Sequence, residues 1–241
     1  MNDTLDAVVV GVDGSPAARA AVSWAVAEAR DRGVPLRLVT VIADDRASGD
    51  RARDALRLAR AAVEDQSPMV AFEEVIRHGE VARELLEESR SAALICVGAR
   101  HRMGAPLGVI AATLAERAQC AVAVICADDV DHDGVIAVVL DDEPDNDAVV
   151  LQAMKEGRLR HATVRQIDRR LTSWVRRFPD VHVETVAAGT GLGFGEPHRR
   201  GLPQLAVLGR KDAMRVASVV TPNCHPIIGY PDCSLLFVHD V

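Results

Sequence analysis

Five short apolar stretches, each parted from the next by a helix-length segment, restrict the first half of this chain to an alternating α/β fold. Ala7 to Val12 reads AVVVGV, without a polar side chain. A run of that kind suits a strand buried on both faces, as in a parallel sheet. Leu36 to Ile42 (LRLVTVI), Val70 to Ile76, Ala93 to Val97 (ALICV) and Ala121 to Cys126 (AVAVIC) predict four more strands. The segments between them have helical signals. Asp13-Gly14-Ser15-Pro16 is a turn, with Ser15 as N-cap and Pro16 in the first helical position. The helix it opens runs to about Asp31, with Val22, Ala25, Val26 and Ala29 on one face, and Arg32-Gly33-Val34-Pro35 stops it. Ala43 to Asp50 reads as a polar loop. The helix after it ends near Glu64, with Ala52, Leu56, Ala59 and Val63 on one stripe. Glu80 to Ser89 predicts a short helix, Gly98 to Leu107 a loop and Gly108 to Ala118 a helix. Alternation of this kind builds an open sheet with helices as crossovers.

Asp128 to Gly134 (DDVDHDG) is short, acidic and ends in glycine, so it marks a domain boundary. After it the pattern restarts less completely. Val135 to Leu140 resembles the first strand, and Asp141 to Pro144 repeats the Asp-x-x-Pro spacing of Asp13 and Pro16. Ala148 to Glu156 predicts a helix, Ala162 to Ile167 a strand and Asp168 to Arg177 a helix carrying Trp174. Val181, Val183 and Thr185 alternate with His182, Glu184 and Val186, as in a half-buried edge strand. Leu205 to Leu208 and Leu235 to Val238 complete a second set of five. An internal duplication is expected, with domains at 1–127 and 135–241, a linker at 128–134 and an eroded second copy.

The 241 residues are 49% hydrophobic but only 3% aromatic, so Ala, Val, Leu and Ile supply the core. A net charge of -7 disfavours a nucleic-acid partner, which needs a basic face for phosphates. No apolar run reaches the roughly 18 residues of a membrane span, so no membrane partner is expected. MNDTLDAVVVGVDGSP has no basic region before its apolar stretch, so no secretory leader is expected and the location implied is cytoplasmic. The five cysteines include no CxxC pair and read as reduced thiols.

The ordered set VVVGVDGSPAARAAVSWAVAEA from Val8, PLRLVTVI from Pro35, ALICVGAR from Ala93 and GVIAATLAERAQCAVAVI from Gly108 resembles the universal stress protein family in its tandem form. In the second half the resemblance rests on VVLDDEP, LTSWVRRFPDVHVETV, LAVLGR and PDCSLLFV. It implies two domains of the adenine-nucleotide alpha-hydrolase-like type. Each would be a five-stranded parallel sheet in the order 3-2-1-4-5. It also implies a place for ATP at the carboxyl ends of the strands. In nucleotide-binding members an Asp after the first strand and backbone after the second contact adenosine. By resemblance these are Asp13, with Gly11 and Val12 beside it, and Val41.

The phosphates of such members lie on a loop written G-x2-G-x9-G-[ST]. Its glycines leave backbone N–H groups bare, and its last residues open a helix whose positive end favours anions. Here Gly98 matches the first glycine and Gly108 the last. His101 stands in the second glycine's place, Val109 replaces the hydroxyl residue, and the spacer is three residues short of the motif. In the second half, Gly209 is followed by Arg210-Lys211-Asp212-Ala213, with no second glycine.

Rival chemistries find less support. The acids Asp141, Asp142 and Glu143 resemble the metal-holding acids of receiver domains, but no phosphoacceptor Asp or later Lys completes that set. Ser15 lies in no G-x-S-x-G elbow. The eight histidines show no ligand spacing, so no metal is expected. The departures at His101 and Val109 favour a non-catalytic stress-response protein acting through a ligand or a regulatory protein partner, with self-association open. Hypoxia or stasis is the inducing condition implied by the resemblance. The rival reading is an ATP-holding switch with weak or no hydrolysis at Asp13, Val41, Gly98 and Gly108.

Overall fold

The computed structural model describes residues 7–42, 46–99, 107–127, 134–138, 146–167, 177–186, 203–210 and 233–239. These fall into two compact units, 7–99 with 107–127 and 134–239.

In the first unit, strands β1 (Ala7–Gly11), β2 (Leu36–Ile42), β3 (Phe72–His78), β4 (Ala92–Ala99) and β5 (Ala121–Cys126) are all parallel, in the order β3-β2-β1-β4-β5. Helices α1 (Pro16–Arg32), α2 (Arg46–Gln66), α3 (Val81–Glu88) and α4 (Val109–Arg117) make the crossovers. Right-handed crossovers place α1 and α2 on one face and α3 and α4 on the other, and each pair is in mutual contact. The middle strands carry the core: Val8, Val9, Val10, Leu36, Leu38, Leu94, Ile95 and Cys96 are fully buried. Burial of each larger aliphatic chain among them contributes about 2 kcal/mol.

Among the boundaries that differ from the sequence expectation, three bear on the site and its surroundings. β3 begins at Phe72, not Val70, because pairing with β2 starts at Leu36 opposite Phe72, and Leu36 N already donates to Ala71 O. α2 starts at Arg46, inside the expected loop, since Ala52, Ala55, Leu56, Ala59 and Val63 are all buried along it. β4 runs on to Ala99, so Gly98 is a strand residue paired with Ile125.

Charged side chains fasten β3 to the rest of the unit. Glu88, at the end of α3, is 4% exposed and takes Arg37 Nη1 at 2.9 Å and Arg77 Nε at 2.7 Å. Arg37 also reaches Glu73, its register partner. Burial alone would lower the Arg37 guanidinium pKa; hydrogen bonds to Glu73 and Glu88 outweigh it and hold the group above its usual value. On the opposite face Arg60 of α2 grips Glu74 at 2.7 Å.

The second unit holds β6 (Val135–Val138), α5 (Asp147–Leu159), β7 (Thr163–Ile167), β8 (Val183–Val186), β9 (Pro203–Gly209) and β10 (Ser234–Val238), with strands parallel in the order β8-β7-β6-β9-β10. This repeats the first order strand for strand. One constant offset carries the pair Val8–Leu36 onto Ile136–Val164, and the register shift after Ala7 onto the one after Val135. The same offset carries Glu28 and Arg32, an i,i+4 pair with a buried carboxylate, onto Glu156 and Arg160. It also carries Gly33, which ends α1 at φ 65, onto His161 at φ 50. The edge strand predicted from the alternation at 181–186 is β8, starting at Val183. The acids at 141–143, Trp174 and nearly all of the expected helix over 168–177 lie outside the described residues.

Candidate functional site

Chain order reverses about β1 in the first unit: β2 and β3 are laid to one side, β4 and β5 to the other. The crevice at the carboxyl ends of β1 and β4 is where an open α/β sheet takes ligands. Gly11, Val12 and Asp13 stand at one wall and Gly98 at the other.

The first wall is a compact hydrogen-bonded turn. Val12 N donates to Val39 O at 2.8 Å, carrying the pairing with β2 one residue past β1. Asp13 is exposed, and its Oδ1 accepts from Ser15 N at 2.9 Å. Ser15 Oγ then accepts from Ala18 N at 3.1 Å as the N-cap of α1. Gly14 takes φ 79, a left-handed conformation that favours glycine. Its carbonyl receives Arg19 Nη1 at 3.3 Å. Val41, near the end of β2, is half-buried beside this turn's strand.

Gly98 has a structural use that its sequence context does not reveal. A Cβ there would stand 2.3 Å from Ala17 C and 2.5 Å from Ala18 N. The first turn of α1 therefore rests directly on the bare Cα of Gly98. Gly11 is looser, with a Cβ meeting side-chain atoms at ordinary contact distance, Val97 Cγ1 at 3.4 Å and Leu85 Cδ1 at 3.5 Å first.

The starts of α3 and α4 lie at this rim as well. Glu80 caps α3 with its own side chain: Oε1 accepts from Ala82 N at 3.0 Å and Oε2 from Arg83 N at 2.8 Å. Both carboxylate oxygens are thus engaged at the positive end of the helix. Gly108 caps α4 without a side chain, is exposed, and would meet no described residue within 4 Å if given a Cβ. Val109 follows it 82% exposed, while Leu107 before it is buried. His101 and the rest of 100–106 lie outside the described residues.

Sequence reasoning missed a contact at the corresponding rim of the second unit. Arg210 follows Gly209 of β9 and His239 follows Val238 of β10; Arg210 Nη1 and His239 Nε2 lie 2.7 Å apart. The first unit has Ala99 and Cys126 at the matching places, so only comparison of the two strand sets finds this pair. Among the described residues, no group of three His, Cys, Asp or Glu side chains is placed to hold a metal, and no helix is long and apolar enough to cross a membrane.

Residues 4–125, which include every position of the candidate site, match the model of the Universal stress protein family. Universal stress protein Rv2624c of Mycobacterium tuberculosis (strain ATCC 25618 / H37Rv) is 37% identical over 265 residues, covering 98% of this chain and 97% of its own. Universal stress protein Rv3134c of the same strain is 38% identical over 216 residues, covering 76% and 80%. The crystal structure of a universal stress protein from Archaeoglobus fulgidus DSM 4304 shares the fold with a TM-score of 0.68 at 13% identity, covering 97% of this chain and 96% of that one. Parallel sheet, strand order, family match and near full-length relatives agree: the chain belongs to the universal stress protein family.

Proposed function

We propose that this protein is a non-catalytic stress-response protein. It works by contact, holding a small ligand or a regulatory protein at the carboxyl rim of its first sheet. The observation that carries the reading is at Gly98 and Val109. A phosphate loop needs bare backbone that a ligand reaches and a hydroxyl at the helix start. The bare Cα of Gly98 faces the start of α1 within van der Waals range, and the helix start presents the exposed isopropyl group of Val109. With a spacer three residues short of the motif, the ATP signature is degenerate.

Asp13 nevertheless keeps an exposed carboxylate, and the start of α4 at Gly108 has no side-chain cap among the described residues. Those two features support the second reading, an ATP-holding switch with weak or no hydrolysis. Calorimetric titration of the full chain with Mg-ATP, paired with a phosphate-release assay, decides between them. The first reading expects neither stoichiometric heat at sub-millimolar ATP nor turnover above background. Saturable one-to-one binding, lost in Asp13→Ala, replaces it with the second.

The chain's place of work on this reading is the cytoplasm, with hypoxia or stasis as the inducing condition. Transcript and fractionation measurements under those conditions test both.

A further inference from the structure

β3 stands at one end of the strand order in its unit, and among the described strands only β2 pairs with it. Glu73, Glu74, Ile76, Arg77 and His78 are exposed along it, and Phe72 and Val75 are half-buried. An edge strand of seven residues offers a row of outward N–H and C=O groups to another chain. The pull of that row is set by what the side chains permit.

We propose that β3 pairs with β3 of a second copy, antiparallel, about a two-fold axis through Val75. The inference does not depend on what the first unit's rim holds. An axis normal to the sheet keeps each face on its own side, so opposed residues must share a face. Centring on Val75 sets Val75 against itself, with Glu73 opposite Arg77 of the second copy at both flanks. On the other face Glu74 meets Ile76 and Phe72 meets His78. Centring on Glu74 sets two carboxylates against each other, which destabilises a cross-strand pair. Centring on Ile76 sets Arg77 against Val75, so both Glu73–Arg77 pairs are lost and Glu74 faces His78 rather than a guanidinium. Charge complementarity therefore selects a second copy and one register.

The side chains that make the match are already held on one face. Glu73 is fixed by Arg37, and Arg77 by Glu88. A carboxylate accepts several hydrogen bonds and a guanidinium donates five, so each has capacity for a further partner. Pairing of one short strand buries less than the roughly 1,200 Å² at the low end of stable interfaces, so the dimer is weak and concentration-dependent.

Sedimentation of the full chain from low micromolar to about 0.2 mM tests it. The expected result is a reversible monomer–dimer equilibrium that Glu73→Arg weakens about tenfold, since each dimer then carries two like-charge pairs. Because Glu73→Arg also loses Arg37, a second variant reads the register directly. V75C under mild oxidation gives a covalent dimer in excess of the wild-type chain with its native thiols. A chain monomeric throughout the range overturns the proposal. So does a dimer indifferent to Glu73→Arg, or V75C cross-linking no better than wild type.

Discussion

The carbonyl carbon of Ala17 lies 2.3 Å from where a Cβ on Gly98 would stand. The atoms met at Ala17 and Ala18 are backbone and a Cβ has no rotamer, so neither a rotamer change nor a side-chain shift relieves the contact. Gly98→Ala must push α1 off the sheet and is expected to cost about 3 kcal/mol. Urea unfolding followed by circular dichroism measures it. Gly108→Ala, with open space around it, is the matched control and loses about 1 kcal/mol at most through the poorer cap.

Glu88→Gln removes the charge that two guanidiniums share. Its carboxylate is almost wholly buried, and Arg37 is 22% exposed beside it. Breaking such a pair leaves a half-buried cation with less compensation, and we expect a loss of about 2 kcal/mol. A double-mutant cycle with Arg37→Met separates the pair from the packing of each stem.

Asp180 contributes to the acid response of the second unit. The guanidinium of Arg158 hydrogen-bonds its carboxyl through two oxygens, at 2.5 and 2.7 Å, and holds its pKa below the ordinary value. A carboxyl depressed on folding adds stability above its unfolded pKa of about 3.9 and loses it as pH falls through the folded value. Asp180→Asn is therefore expected to melt below wild type at pH 7 and to converge with it as pH falls through the depressed folded pKa of Asp180. Melting curves across that range give the answer, and a constant gap refutes the linkage.

His161 adopts φ 50 where the first unit has Gly33. A side chain in that left-handed region is strained by about 1 kcal/mol. His161→Gly is expected to raise stability by up to about that amount, the reverse of the usual effect of introducing glycine. A shift of the urea midpoint to higher concentration confirms it.

Val109→Ser restores a hydroxyl at the start of α4 but neither the missing glycine nor the spacer length. Val109 is so exposed that stability should change by no more than about 0.5 kcal/mol. Mg-ATP titration of the variant should still show no stoichiometric binding. Recovery of tight binding by this one change would place the whole deficit in the hydroxyl.

Much of the first unit is legible in its sequence because buried parallel strands leave an unbroken apolar trace. Val8 to Val10 and Leu94 to Cys96 announce themselves in this way, and Ser15-Pro16 marks the start of α1. β3 is less clear because its edge position exposes Glu73, Glu74 and Arg77, and its start depends on Leu36, far away in the chain. Asp13 and Gly98 are findable as the residues ending two apolar runs. The reason Gly98 is a glycine is not, since Ala17 meets it only after the sheet has formed. The pairing of Arg210 with His239 is hidden for the same cause: nothing local joins two strand ends 29 residues apart in the chain.

Glu80 keeps both of its oxygens on the first turn of α3. A negatively charged visitor would have to evict a tethered competitor there, whereas Gly108, at the start of α4, has no side-chain cap among the described residues. Substitutions around Gly108 therefore leave the first turn of α3 capped, and the helix behind Glu80 keeps its footing throughout.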